Sequence, residues 1–149
     1  MYKRQDEGNF GAIVRSCEVM GAAGVVVAKS RAARVGVGAY KTSAGAVLHL
    51  PIAQVPNVAS AVDALKEAGF WCVAATEHAE QPCWDAALDG RVAVVMGSEG
   101  SGVSRLVLER CDDACLIPQR GRVESLNVAQ AASVLCYEWA RRTWGGAES

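Results

Sequence analysis

The chain has 149 residues, 51% of them apolar and 21% charged, with a formal net charge of -1 at pH 7. Such a length and mixture describe one globular domain. The near-zero charge excludes recognition of nucleic acid by bulk charge, so any such contact falls to a local basic patch. No run approaches the ~20 apolar residues of a membrane span, and no apolar segment follows Met1-Tyr2-Lys3-Arg4-Gln5 to read as a secretory signal. A cytoplasmic protein with no membrane partner is expected.

In chain order, Asn9 is placed to cap a helix running to about Met20, with Ile13, Cys17 and Met20 on one face and Gly21 as its stop. Val25–Ala28 is a short apolar run, the pattern of a strand covered on both faces. The stretch "SRAARVGVGAYKTSAGAVLHLP" is rich in small residues and reads as less regular. Residues 58–68 then predict a helix closed by Gly69, and residues 70–75 a buried strand with Trp71 in the core. Val92–Met96 predicts a further strand, residues 104–110 a helix, and residues 114–117 a fourth strand. In the last segment Val128, Ala131, Ala132, Leu135 and Trp139 recur at helical spacing, and the tail from residue 145 reads as disordered.

Apolar strands alternating with helices define an α/β fold with a mostly parallel sheet flanked by helices. Ligands of such sheets bind outside the carboxyl ends of the strands, which points to the loops after Ala75, Met96 and Ile117. The six cysteines form no C-x-x-C pair and read as reduced packing residues. With only His49 and His78 beside them, no metal site is expected.

The loop after Met96 carries Gly97, Gly100 and Gly102 in the order G-x-x-G-x-G, the reverse of a dinucleotide fingerprint. It lacks the Gly-Lys-Ser/Thr ending of a phosphate loop, and Glu99 would repel a triphosphate. A ligand with an adenine, a ribose and a positive centre tolerates Glu99 better; S-adenosylmethionine has those parts. A tight turn with glycines serving geometry alone stays open as the second reading.

Three segments carry a resemblance: "NFGAIVRSCEVMGAAGVVV", "VVMGSEGSGVSRLVLERCD" and "LIPQRGRVESLNVAQAASVLCYE". In that order they resemble the SpoU/TrmH branch of the SPOUT RNA methyltransferases across nearly the whole chain. The connecting pieces "KTSAGAVLHLPIAQVPN" and "LKEAGFW" look most like the group acting on a guanosine of 23S ribosomal RNA. The resemblance implies a SPOUT α/β-knot with a C-terminal deep trefoil knot, a homodimer, and S-adenosylmethionine as cofactor. It implies methyl transfer to a ribose 2'-hydroxyl, with transfer RNA or an antibiotic-site ribosomal nucleotide as the alternative target. A non-catalytic RNA-binding or dimerising remnant is the alternative of another class.

Transferred by motif position, Arg15, Asn9, Glu99, Ser125 and Asn127 are the catalytic candidates. An arginine stays charged at neutral pH, so Arg15 is expected to stabilise the emerging alkoxide rather than act as a plain base. Asn9 is expected to orient Arg15 or bind RNA, and Ser125 and Asn127 to cap the last helix or meet substrate. Cofactor contacts fall to Thr76, Gly97, Gly100, Ile117, Pro118, Leu126 and Asn127. RNA contacts fall to Arg31, Arg34, Lys41, Arg120 and Arg122. The family places an apolar strand before the first motif, and "MYKRQDEG" is not one; residues 1–144 are therefore expected to be a catalytic domain lacking its first strand and any N-terminal RNA-binding domain.

Overall fold

The structure, a computed structural model, describes residues 2–29, 37–98 and 100–145, with only the backbone path for residues 2–7 and 37–39. Contacts divide the chain at Val58 into two units, Met1–Val58 and Ala59–Ser149.

The first unit opens with helix α1 (Tyr2–Val19). Asn9 therefore lies inside a helix rather than at its cap, because the polar residues before it continue the helix instead of leading into it. Phe10, Val14 and Cys17, at i, i+4 and i+7, share one stripe. Val14 is fully buried with Ala46 and Leu50. Of the expected face, Cys17 packs against this cluster together with Phe10, while Ile13 and Met20 are half-buried. Gly21 does stop the helix. Its φ is +75°, and the Ala22 N–H to Cys17 carbonyl and Gly21 N–H to Glu18 carbonyl bonds close the last turn.

Strand β1 (Val25–Ala28) pairs in parallel with β2 (Ile52–Val55), Val25 opposite Ile52. Between them, the stretch that reads as irregular holds α2 (Val37–Thr42) and a 3-10 turn at Ala46–Leu48. β2 escapes sequence reading because its four residues, Ile-Ala-Gln-Val, sit between two prolines without a repeating apolar pattern. Gly24 is required at the start of β1. A Cβ there would stand 2.9 Å from the Pro51 carbonyl oxygen, the acceptor of the Val25 N–H. Contrary to the fully covered strand expected, Val26 is 42% exposed.

The second unit holds α3 (Val58–Glu67), β3 (Trp71–Ala75), β4 (Val92–Met96), α4 (Arg105–Arg110), β5 (Asp113–Cys115) and α5 (Val128–Gly145). The strands form one parallel sheet in the order β4-β3-β5. The described strands thus make two parallel sheets rather than one. Cys72, Val73 and Ala74 of the central strand are completely buried. Leu88, Cys115 and Leu135 pack around Val73, each large aliphatic contributing about 1.5–3 kcal/mol. Trp71 is not core: it is the first residue of β3, opposite Val92 at the amino edge, and is 45% exposed.

Several contacts fix this same amino end of the sheet. Gly69, at φ +92°, closes α3 as expected. The Cys72 N–H donates to the Asp112 carboxylate at 2.8 Å while the Asp112 N–H donates to the Cys72 carbonyl at 2.8 Å. Lys66 pairs with Asp112 at 3.4 Å, and Arg110 pairs with Asp63. Ser104 caps α4, its hydroxyl accepting the Val107 N–H at 3.3 Å. β5 ends at Cys115, shorter than expected, because Leu116 turns to a bridge with Pro82. α5 runs on through Gly145, which the sequence assigns to the tail; residues 146–149 lie outside the described residues. No disulfide joins any two of the six cysteines.

Candidate active site

In the three-stranded sheet Ala75 lies opposite both Met96 and Cys115. The chain therefore leaves β3, β4 and β5 at one level, and Thr76, Gly97 and Leu116 emerge side by side. The Thr76 N–H completes the ladder by donating to the Cys115 carbonyl at 2.9 Å. Its hydroxyl accepts the His78 N–H at 3.3 Å, turning the chain away from the edge. Ile117 and Met96 pack against the core beside Leu135 of α5. Three of the expected cofactor positions, Thr76, Gly97 and Ile117, are thus gathered at one carboxyl edge.

The glycine loop folds back on itself. The Gly102 N–H donates to the Ser98 carbonyl at 2.9 Å, and the Ser98 and Ser101 hydroxyls lie 2.6 Å apart. A Cβ on Gly97 would stand 2.0 Å from the Gly102 carbonyl carbon and 2.3 Å from the Val103 nitrogen. Gly97 is therefore glycine because the chain's own backbone lies against it. Gly100 and Gly102 hold φ of +92° and +66°, with open space where a Cβ would be. Geometry explains every glycine of the motif. From Gly97 to Ser104 the loop carries no lysine or arginine, which fits a nucleoside with a positive centre better than a phosphate chain. Glu99 lies outside the described residues.

Beyond Pro118 the chain runs exposed through Arg120, Arg122, Ser125 and Leu126 to Asn127. Asn127 caps α5: its side-chain oxygen accepts the Ala129 N–H at 2.8 Å, and its carbonyl accepts the Ala131 N–H at 2.9 Å. Ile117 and Pro118 also line an open concavity of about 410 Å³, walled by Cys83, Trp84, Val134 and Tyr137. Trp84 and Tyr137 are 57% and 58% exposed.

The wall at residues 83–86 is clamped by a group that sequence reading did not single out. Arg142 donates to the carbonyl oxygens of Cys83, Trp84 and Ala86, and its Nε donates to Glu138 at 2.7 Å. The Trp139 indole donates to the Gly90 carbonyl at 2.9 Å, while the Gly90 N–H donates to the Thr143 hydroxyl at 3.2 Å. The available signal was an acid and an arginine four apart on the flank of an otherwise apolar helix. Glu138 is held below the usual carboxylate range by hydrogen bonding from Arg141 first and Arg142 next, against the opposing effect of burial. Burial pushes the Cys111 and Cys115 thiols up to about 11, which marks them as packing groups and not nucleophiles.

In the first unit Arg15 is exposed on α1 and Lys41 is exposed in the last turn of α2. Asn9 is half-buried, and six helical residues place it about 9 Å along the axis from Arg15 and about 120° around it. The two side chains leave different faces, so direct orientation of Arg15 by Asn9 does not follow from the helix. Arg31 and Arg34 lie outside the described residues. Among the described residues no three His, Cys, Asp or Glu side chains gather as metal ligands, and no helix is long and apolar enough to cross a membrane.

The fold is of the α/β class, with a parallel sheet whose carboxyl edge carries a folded-back glycine loop, and comparison supplies the family. The sequence model of the SpoU rRNA Methylase family matches residues 1–137, and the chain belongs to that family. A protein of Staphylococcus haemolyticus assigned to the TrmH family of tRNA/rRNA methyltransferases is 40% identical over 138 residues, covering 93% of this chain and 55% of the relative. A solved RNA 2'-O ribose methyltransferase superposes with a TM-score of 0.81 at 33% identity, covering 91% of this chain and 52% of its own. The SpoU methyltransferase AviRb of Streptomyces viridochromogenes, solved with AdoMet bound, superposes with a TM-score of 0.81 at 32% identity, covering 91% of this chain and 55% of its own. The chain thus spans about half the length of the relatives it matches.

Proposed function

We propose that this chain is the catalytic part of an RNA methyltransferase that moves a methyl group from S-adenosylmethionine to a ribose 2'-hydroxyl, with a guanosine of 23S ribosomal RNA as the target. One observation carries the reading: Thr76, Gly97 and Leu116, the last immediately before Ile117, leave three adjacent parallel strands at the same level, where parallel sheets bind their ligands. Membership of the SpoU family supports it.

The cofactor supplies an electrophilic methyl carbon on a sulfonium. The chain's part is to hold and to align. Backbone groups of Thr76, Gly97, Gly100, Ile117, Pro118, Leu126 and Asn127 bind the nucleoside. Arg15 stabilises the alkoxide as the hydroxyl oxygen attacks carbon and holds a neighbouring phosphate. The proton released passes to solvent or to a phosphate oxygen. Glu99, Ser125 and Asn127 position loop and substrate, Asn9 meets RNA, and Arg31, Arg34, Lys41, Arg120 and Arg122 contact phosphates. The C-terminal segment closes as a trefoil knot, and two chains associate as a cytoplasmic homodimer. The exposed Trp84, Val134 and Tyr137 favour such association.

Calorimetric titration with S-adenosylmethionine, followed by radiolabelled methyl incorporation into unmodified ribosomal and transfer RNA, tests the reading. Saturable binding and a 2'-O-methyl guanosine mapped by mass spectrometry in 23S RNA are expected. Binding without incorporation overturns the catalytic assignment, and a mark in transfer RNA overturns the target.

A further inference from the structure

The Arg142 clamp reaches the strand exit through a continuous set of hydrogen bonds. Its guanidinium gathers the carbonyl oxygens of Cys83, Trp84 and Ala86, and Glu138, only 13% exposed, fixes its Nε. The Cys83 N–H in turn donates to the Leu116 carbonyl at 2.7 Å, and the Leu116 N–H donates to the Gln81 carbonyl at 3.0 Å. The Gln81 side-chain amide donates to Asp113 at 2.7 Å and to the Ala114 carbonyl at 3.0 Å. Residues 81–83 thus pair with Leu116 just past the end of β5, and the Gln81 side chain reaches β5 itself, whose three residues alone make a short ladder. Leu116 immediately precedes Ile117 and Pro118.

We propose that Arg142 is a positioning residue for the cofactor: by binding three carbonyl oxygens of the 83–86 turn it holds that turn against Leu116 and so sets the path of Ile117–Pro118 out of β5. The proposal rests on the reading that Ile117 and Pro118 touch S-adenosylmethionine. A guanidinium suits this task because its planar fork serves several acceptors at once, which an ammonium on a flexible stem does not reproduce. Arg141, the exposed neighbour, also donates to Glu138 but, among the described residues, to none of the three carbonyls, so it serves as the control for loss of a cation beside Glu138 without loss of the turn contacts.

The test uses the full chain and the variants Arg142→Ala, Arg142→Lys and Arg141→Ala. Amide hydrogen exchange is read at Cys83 and Leu116, and S-adenosylmethionine affinity by calorimetry below the unfolding temperature of each variant. Arg142→Ala is expected to expose both amides and weaken the cofactor roughly tenfold or more, as follows from losing hydrogen bonds to a charged group. The KM for RNA should stay near that of wild type. Arg142→Lys should fall between, and Arg141→Ala should match wild type in both readings. Unchanged affinity and protection in folded Arg142→Ala overturn the proposal; should that variant not fold, unchanged readings in Arg142→Lys do so. If wild type itself binds no S-adenosylmethionine, the functional reading fails, and exchange at Cys83 and Leu116 alone decides whether Arg142 holds the turn.

Discussion

At Gly97 a single missing carbon decides the geometry of a whole loop. The backbone of Gly102 and Val103 occupies the place of its Cβ, so Gly97→Ala must push two stretches of main chain apart. A loss of about 3 kcal/mol in urea unfolding is expected. Gly121→Ala, where nothing stands within 4 Å, should change stability by less than about 0.5 kcal/mol. Equal losses at both positions would contradict the close approach. Arg15 offers the opposite case. It is exposed on α1, so Arg15→Ala should leave the melting temperature unchanged while lowering methyl transfer by about 100-fold or more. A parallel fall in stability and activity would make it a structural residue. Both residues were visible in the sequence as parts of motifs, but only the fold gives Gly97 its reason. The glycine order excluded known phosphate loops without saying that the chain packs against itself.

At the scale of elements, α5 joins packing to the site. Its start depends on Asn127, whose side chain satisfies the Ala129 N–H. Asn127→Ala should cost about 1 kcal/mol in chemical denaturation, and any further loss of cofactor affinity reports a second role. Its other end depends on Glu138, whose carboxyl is lowered by Arg141 and then Arg142. A carboxyl lowered by folding contributes stability above its unfolded value and loses it as pH falls through the lowered one. Wild type should therefore exceed Glu138→Gln in melting temperature at neutral pH. That gap should close as the solution is acidified below the usual carboxylate range; a gap constant with pH would remove the charge pair from the account. The helices of the second unit were legible because their apolar spacing and closing glycines act locally. The start of α1 was not, because the polar run before Asn9 offers no periodic signal. β2 was lost for the same reason, being four residues long and paired to a partner distant in sequence.

For the molecule as a whole, near-neutral charge makes RNA binding a matter of placement. Lys41, Arg120 and Arg122 are all exposed. If they meet phosphates, alanine at Lys41 or Arg120 should reduce the slope of log affinity against log salt by about one for each phosphate left without its cation. An unchanged slope would remove that residue from the RNA face. By itself the sequence determined the alternation of helices and parallel strands and the three motif segments, the second of which runs through the carboxyl end of β4 while the third starts just past that of β5. Those features rest on periodicity and glycine chemistry, which are written within a few residues of one another. The tertiary structure decided the rest: that Ala75 stands level with Met96 and Cys115, that the glycine loop closes on its own backbone, and that Arg142 grips a turn more than fifty residues earlier in the chain. Register, close approach and long-range hydrogen bonds depend on pairs of residues far apart in sequence, and no local pattern encodes which pairs will meet.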